Sequence, residues 1–398
     1  MARLFKTQAV VGSALLALAL AGCGDSGNGG SDKLNGGGEP IEVTSVKIGF
    51  QGPLSGDYQQ LGLNEFNGVE LAVKEANASK EFGFGVELVK GDDQGDPSKA
   101  PAAATSLIQD QGVLGVVGPA FSGSVKAAGA QYSSAGLAFV TPSATNAQLQ
   151  DQGFSSFHRS VPSDNVEGTI GAEWLAQKAK KVFVIDDLGD YGKGVADALQ
   201  KKLESEGVKV IREGVDAKTT DYSVVAQKVK ASGAEALFYG GYDAQTALLA
   251  KAIKAVGYDG LKVTGNGSKS TIFFDQSGDA GNGWYFLCGC ADAASDPKAQ
   301  KFTDSYRSAY NQDPSTFTPE SYDATRALLT AIKNAAADGS LTRKAVAKSL
   351  DEIDFQGIAS HIRFDGKGDI DSSVAVVNLY EAEDKTFKFL GDVTKQTS

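Results

Sequence analysis

Residues 181–205 read KVFVIDDLGDYGKGVADALQKKLES and define the unit from which the chain is built. The run 181–185 is apolar and largely β-branched, which indicates a buried strand, whereas residues 191–205 have the spacing of an amphipathic helix. A polar, glycine-containing loop separates the two. This order of strand, loop and helix is typical of proteins with parallel sheets.

The same unit recurs on both sides of this stretch. Further strands are predicted at 46–50, 86–89, 114–117, 137–140, 208–212, 236–239, 261–264 and 284–287. Helices are predicted between them at 66–77, 101–111, 122–134, 222–231 and 243–256. Because two such runs flank residues 157–165, the pattern predicts an α/β protein with two Rossmann-like lobes and mostly parallel sheets.

The division between the lobes is predicted from the same pattern. The first lobe is expected over 44–162 and to be completed by 291–366, and the second over 163–287 and to be completed by 371–398. Three hinge crossings would join them, near 162–163, 287–290 and 366–370. Bending at these crossings would let the lobes close over a bound molecule.

The first 43 residues predict an exported, anchored protein. A basic start and an uncharged run from Ala9 to Ala21 are typical of a secretory signal, expected here as residues 1–22. The run ends in Leu20-Ala21-Gly22-Cys23, which resembles a bacterial lipobox and predicts lipidation of Cys23; a plain signal with an incidental cysteine is the alternative. Residues 23–43 have the Gly- and Ser-rich composition of a flexible tether. We therefore expect a lipid-anchored protein on the extracytoplasmic face of the cell membrane.

Charge and motifs exclude several function classes. The net charge of −11 argues against a nucleic-acid partner, since such partners are bound by clusters of Lys and Arg. Only His158 and His361 are present, and no nucleophile elbow, phosphate-binding loop or zinc helix is found, so no enzymatic activity, cofactor or metal is expected. Cys288 and Cys290 are expected as free thiols, with a local disulfide as the alternative.

The loops that follow the predicted strands are the candidate binding residues. Ligands of open α/β sheets lie beyond the carboxyl ends of the strands. In the first lobe these loops carry Ser122 and Thr145 just before helices, where hydroxyls suit an anion or serve only as helix caps. In the second lobe they carry Tyr191 and Tyr242 with acidic neighbours. An anion end facing an aromatic, acidic end suits a zwitterion.

At this level the chain resembles the branched-chain amino-acid (Leu/Ile/Val) binding proteins of ABC importers, in their lipoprotein form and with the type I periplasmic-binding-protein fold. The resemblance covers residues 44–395 and is carried by these motifs in order: Gly52-Pro53-Leu54-Ser55-Gly56, Glu65-Phe66-Asn67-Gly68, Asp92-Asp93, Pro142-Ser143-Ala144-Thr145-Asn146, Tyr191-Gly192-Lys193-Gly194, Tyr239-Gly240-Gly241-Tyr242, Glu320-Ser321-Tyr322-Asp323-Ala324 and Phe364-Asp365-Gly366-Lys367-Gly368-Asp369. It implies a monomer that delivers a small amino acid to a membrane permease.

The resemblance also implies roles for particular residues. Ser122 and Thr145 would hold the ligand carboxylate, assisted by backbone near Ala120 and Phe121. The carbonyl of Ser143 would accept from the ligand amine. Tyr191 and Tyr242 would close over the ligand from the second lobe, and Leu61 would leave room for an aliphatic side chain.

Asn266 departs from the family pattern, which has Asp or Glu there to pair with the ligand ammonium. Asp243, beside Tyr242, is the expected substitute, and on that hypothesis Asp243→Asn should weaken amino-acid binding at least tenfold and Asn266→Asp should strengthen it. Otherwise the ligand has no ammonium and is an amide, a urea-like solute or a plain carboxylate. A sensor that reports its ligand to a membrane receptor is the remaining alternative to an importer.

Overall fold

The computed structural model describes residues 40–371, 373 and 375–396. The predicted signal peptide, Cys23 and most of the tether lie outside these residues. In the described ranges, no helix is both long enough and apolar enough to cross a membrane.

Five parallel strands form the first sheet, in the order β2-β1-β3-β4-β5. They are β1 (Ser45–Gly52), β2 (Gly85–Asp92), β3 (Val113–Val117), β4 (Ala138–Thr141) and β5 (Phe157–Arg159). Helices pack on both faces: α1 (Gln59–Ser79), α2 (Ala100–Gln109), α3 (Ser122–Ser134), α10 (Thr318–Ala337) and α11 (Arg343–Asp351). The sheet is therefore buried between two apolar layers, as parallel sheets require.

The second sheet has seven strands in the order β14-β13-β10-β9-β8-β6-β7. They are β6 (Lys181–Asp186), β7 (Lys209–Gly214), β8 (Ala236–Gly240), β9 (Leu261–Thr264), β10 (Trp284–Cys288), β13 (Asn378–Glu383) and β14 (Thr386–Asp392). The associated helices are α4 (Asp164–Ala176), α5 (Asp190–Ser205), α6 (Ser223–Ser232), α7 (Asp243–Ala255) and α8 (Thr271–Ser277). Strands β6 to β10 are parallel, whereas β13 runs antiparallel to both of its neighbours.

The chain passes between the two sheets after β5, after β10 and again before β13. Between the last two passages lie α9 (Gln300–Tyr310), α10, α11 and a small antiparallel pair, β11 (Asp354–Gln356) and β12 (His361–Arg363). The architecture of two α/β lobes with mostly parallel sheets and three crossings is therefore as predicted. The helices and strands after residue 288 had not been assigned from the sequence.

The prediction of free thiols at Cys288 and Cys290 is wrong, because the two sulfurs form a disulfide. That prediction assumed extended backbone through Gly289. Strand β10 instead ends at Cys288, and the chain bends at Gly289, which brings the Cα atoms of the two cysteines to 5.0 Å. This separation lies within the range that a disulfide can bridge.

Candidate functional site

A small buried cavity, with a volume of about 20 Å³ open to water-sized molecules, lies between the two sheets, at the carboxyl ends of their strands. Its lining residues come from α1, from the loops after β3, β4, β8 and β9, from the start of α5, and from the residue before α10. They are Leu61, Glu65, Ala120, Phe121, Ser122, Ser143, Tyr191, Tyr242, Asn266, Gly267 and Phe317. Both lobes thus contribute to one enclosed site.

Eight of the ten predicted ligand-binding residues line this cavity, namely Leu61, Ala120, Phe121, Ser122, Ser143, Tyr191, Tyr242 and Asn266. Thr145 and Asp243 do not. The Thr145 hydroxyl is buried without a hydrogen-bond partner, and its carbonyl accepts from the Asp164 amide at 2.7 Å. Sequence reasoning missed Glu65, Gly267 and Phe317.

The side chains from the first lobe form what we call the first wall: Leu61, Glu65, Ala120, Phe121, Ser122 and Ser143. Ser122 is the first residue of α3, and its hydroxyl accepts from the Asn146 amide at 3.2 Å. The first turn of a helix has backbone N–H groups without helical partners and a favourable field for an anion. The hydroxyl of Ser143 donates to the Ala120 carbonyl at 2.6 Å. These contacts hold the loops after β3 and β4 together next to an anion-binding helix end.

Close packing of α1 against the loop after β1 places Leu61 and Glu65 in the cavity. A Cβ atom on Gly62 would lie 1.9 Å from the Pro53 carbonyl oxygen, so only glycine permits this approach. Leu61 and Glu65 are four residues apart and therefore share one face of the helix. Glu65 is thus an acid in the middle of an apolar helix face.

Glu65 is 1% exposed, and neither of its carboxylate oxygens has a hydrogen-bond partner. The pKa of Glu65 is raised to about 8, chiefly by burial and to a smaller extent by the charges of Asp93 and Glu320, against the lowering effect of the nearby Ser143 hydroxyl. Since that hydroxyl donates to the Ala120 carbonyl, we regard the carboxylate as free. A buried carboxylate without a partner is unfavourable, so this side chain is protonated near neutral pH unless a donor or a cation stabilises its ionised form.

The second lobe supplies the second wall, which we define as Tyr191, Tyr242, Asn266 and Gly267. The Tyr191 hydroxyl accepts from the Gly267 amide at 3.1 Å. The Asn266 amide group donates through Nδ2 to Glu167 Oε2 at 2.9 Å. The principal polar side chains of this wall are therefore already engaged in hydrogen bonds within the protein.

Glu167 connects the second wall to the second crossing between the sheets. Its Oε2 atom accepts from Asn266 and also from the Gly289 amide at 3.1 Å. Burial raises the pKa of Glu167 to about 7, against the lowering effect of these hydrogen bonds. On the other side of the crossing, Glu320 Oε1 accepts from the Ala291 amide at 2.6 Å. Two buried carboxyl groups thus hold the crossing from opposite sides.

Aromatic rings join the two walls. Phe121 and Tyr242 stack with their centroids 4.7 Å apart and their planes inclined by 15°. Tyr58, at the start of α1, lies 5.0 Å from the Tyr242 ring, and Tyr191 lies 5.3 Å from it. The contacts of Tyr242 with Phe121 and Tyr58 cross from one lobe to the other, so the Tyr242 ring closes the cavity on this side.

Asp243 is buried, but its carboxylate has local partners. It accepts from the Ser270 hydroxyl and from the Ala244 amide at 2.8 Å. Burial raises the pKa of Asp243 to about 6. One of these bonds lies in the first turn of α7 and the other joins Ser270, just before α8, and Asp243 is absent from the cavity lining, so the geometry does not favour it as the substitute acid.

Neither histidine lines the cavity. His158 is buried, with Nε2 2.8 Å from an Asp351 carboxylate oxygen, and His361 pairs with Asp354. In the described ranges, no group of three or more His, Cys, Asp or Glu side chains could hold a metal ion. The cavity is arranged to bind a small molecule.

Comparison with known proteins agrees with this arrangement. A model of a periplasmic binding protein family matches residues 45–383. A leucine-, isoleucine-, valine-, threonine- and alanine-binding protein of Pseudomonas aeruginosa is 30% identical over 335 residues, which are 83% of this chain and 88% of that protein.

Two solved structures resemble this fold. The leucine-binding protein LivK of Thermotoga maritima has a TM-score of 0.81 and 26% identity, over 87% of this chain and 98% of that one. LivJ of Streptococcus pneumoniae, in complex with isoleucine, has a TM-score of 0.79 and 28% identity, over 87% of this chain and all of that one. This chain belongs to the periplasmic binding protein family.

Proposed function

We propose that the protein captures a small amino acid, most readily a branched-chain one, and delivers it to an ABC permease. The observation that carries this proposal is the cavity between the two sheets, because both lobes contribute polar and apolar residues to its lining. Relatives named for leucine, isoleucine and valine support the choice of ligand.

The chemistry of the lining fits the three parts of such a ligand. Ser122 and the first turn of α3 suit a carboxylate. The Ser143 carbonyl suits an ammonium group. The remaining surface, formed by Leu61, Phe121 and Phe317, suits an apolar side chain.

Binding would proceed by closure of the lobes about the three crossings. We place the lobe boundaries at 44–162 with 291–366 and at 163–287 with 371–398. In an open form the two walls would separate and admit the ligand. Contacts with both walls would then favour the closed form over the open one.

Titration calorimetry of the mature protein against single solutes tests the ligand. Leucine, isoleucine and valine should bind, whereas urea and simple amides should not. Stronger binding of an uncharged amide, urea or plain carboxylic acid than of any of these amino acids would overturn the amino-acid assignment. Binding of none of these solutes would leave no support for import of this class.

We also propose that Cys23 is lipidated after removal of residues 1–22, with residues 23–43 as a tether on the outer face of the membrane. A diacylated cysteine buries many methylenes at about 0.8 kcal/mol each, enough for stable anchoring. Cys23→Ser should therefore release the protein from the membrane fraction while leaving ligand affinity unchanged. Retention of the Ser variant in that fraction would refute the anchor.

A further inference from the structure

We propose that Glu65 is the acid that pairs with the ammonium group of the ligand and so determines the specificity for amino acids. The inference rests on the proposed function, because it concerns the ligand of the same cavity. It assigns the charge that Asn266, a neutral residue, cannot supply.

Geometry singles out Glu65 among the acids near the cavity. It is the only acid in the cavity lining formed by the described residues, and it is buried with both carboxylate oxygens unpartnered. It also lies close to Ser143, whose carbonyl is the proposed acceptor for the same ammonium. An ammonium placed between these two residues would donate one hydrogen bond to the Ser143 carbonyl and one to the Glu65 carboxylate, and in the second bond both partners carry opposite charges.

The other acids are less well placed. Glu167 lies behind Asn266 and already accepts from Asn266 and from the Gly289 amide. Asp243 is absent from the lining and accepts from Ser270. Asp164 is buried next to Thr145, and neither residue lines the cavity.

Electrostatics explain why a cation is needed. The charged groups that act on Glu65 are Asp93, after β2, and Glu320, on α10, and both disfavour its ionised form. No cation is among the residues that shift its pKa. The ammonium of an amino acid would supply the missing positive charge, whereas a ligand without an amine would meet a buried acid with no counter-charge.

The test compares two probes on two proteins. Leucine and isocaproic acid share a carbon skeleton and a carboxylate and differ in the amine. Glu65→Gln keeps the shape of the side chain and replaces a buried carboxyl that is largely protonated at neutral pH by a neutral amide, so the variant should fold. We expect it to weaken leucine binding at least tenfold and to leave isocaproic acid binding unchanged or improved. Asp243→Asn, the matched control, should change neither affinity by more than about twofold.

A measurement on the unaltered protein gives an independent check. The ratio of leucine affinity to isocaproic acid affinity should rise between pH 6 and pH 8 as Glu65 ionises, and it should stay constant in Glu65→Gln. Equal leucine binding by the unaltered protein and Glu65→Gln, or a ratio independent of pH, would overturn the role of Glu65 and leave the proposed function intact. Failure of both probes to bind the unaltered protein would overturn both.

Discussion

The two walls of the cavity differ in how their polar groups are used. On the first wall, the Glu65 carboxylate has no partner, and the start of α3 presents backbone N–H groups to the cavity end. On the second wall, Tyr191 and Asn266 are already bonded to Gly267 and Glu167. Under the proposed function, the first wall would select the ligand by charge, whereas the second wall would cover it with aromatic surface.

The largest effect on the comparison of the two walls is expected from a negative charge in the first wall at Ser122, where the ligand carboxylate is proposed to bind. Ser122→Asp should weaken leucine binding by about a hundredfold or more, because like charges in a buried site cost several kcal/mol. Ser122 is buried, so the helix field only partly offsets the cost of the new carboxylate, and thermal unfolding establishes that the variant is folded before its affinity is measured. Calorimetry measures the affinity. Ser134→Asp, at the exposed far end of the same helix, is the control and should bind normally.

The second challenge places an acid in the second wall. Asn266→Asp would set a carboxylate against Glu167, whose Oε2 atom lies 2.9 Å from Asn266 Nδ2. We expect the free energy of unfolding to fall by about 2 kcal/mol at pH 8, since one of two adjacent buried carboxylates must remain uncharged. Chemical denaturation measures this loss, and Glu167→Gln should restore most of it. The earlier expectation that this substitution strengthens binding took no account of Glu167.

The same pair gives a pH dependence. The pKa of Glu167 is raised to about 7 in the folded protein, whereas it is near 4.3 in an unfolded chain. The folded state therefore binds more protons between these values, and Glu167 makes the protein less stable as pH rises through that window. Glu167→Gln should flatten the stability curve there, and Asn266→Asp should extend the decline to higher pH. A curve unchanged by Glu167→Gln would contradict the raised pKa.

A smaller effect on ligand binding is expected from removing the Tyr242 ring. Tyr242→Ala removes the ring that stacks on Phe121 and should weaken leucine binding by about tenfold, chiefly through faster dissociation. Tyr242→Phe keeps the ring and should bind within about twofold of the unaltered protein. Stopped-flow kinetics separate the two rates. A slower association with unchanged dissociation would argue against a covering role.

The smallest effect should come from Ser143→Ala. Its hydroxyl donates to the Ala120 carbonyl, and only its own carbonyl is proposed to contact the ligand. Leucine affinity should therefore change by less than about threefold, as measured by calorimetry. A loss of tenfold or more would mean that the hydroxyl itself contacts the ligand.

Much of the fold could be predicted from the sequence because parallel strands and their helices repeat a simple pattern up to residue 288. The pattern fails beyond it. The β13–β14 pair is antiparallel and joins the second sheet from the far end of the chain, a pairing that local periodicity does not encode. Predicting the Cys288–Cys290 disulfide required the position at which β10 ends, and the sequence alone defines strand ends poorly.

The residues of the candidate site could be predicted from the sequence where they lie in loops that follow strands. Ser122, Ser143 and Tyr242 lie in or next to such loops and line the cavity. Glu65 was missed because it lies within a helix, although its spacing from Leu61 marks an acid on a buried face. Asp243 was predicted to contact the ligand because it follows Tyr242 in the sequence. Adjacent residues at a helix start, however, point in different directions.

The three passages between the sheets determine when the protein can fold as it is made. The core of the first lobe pairs Phe66 and Val69 with Leu328 and Ile332, more than 250 residues later. The second sheet lacks β13 and β14 until residue 392 has been added. The first lobe lacks α11 until residue 351 has been added, so neither lobe is complete until most of the chain has been made. Late folding suits a protein that acts outside the cytoplasm, because a chain crosses a narrow export channel in the unfolded state.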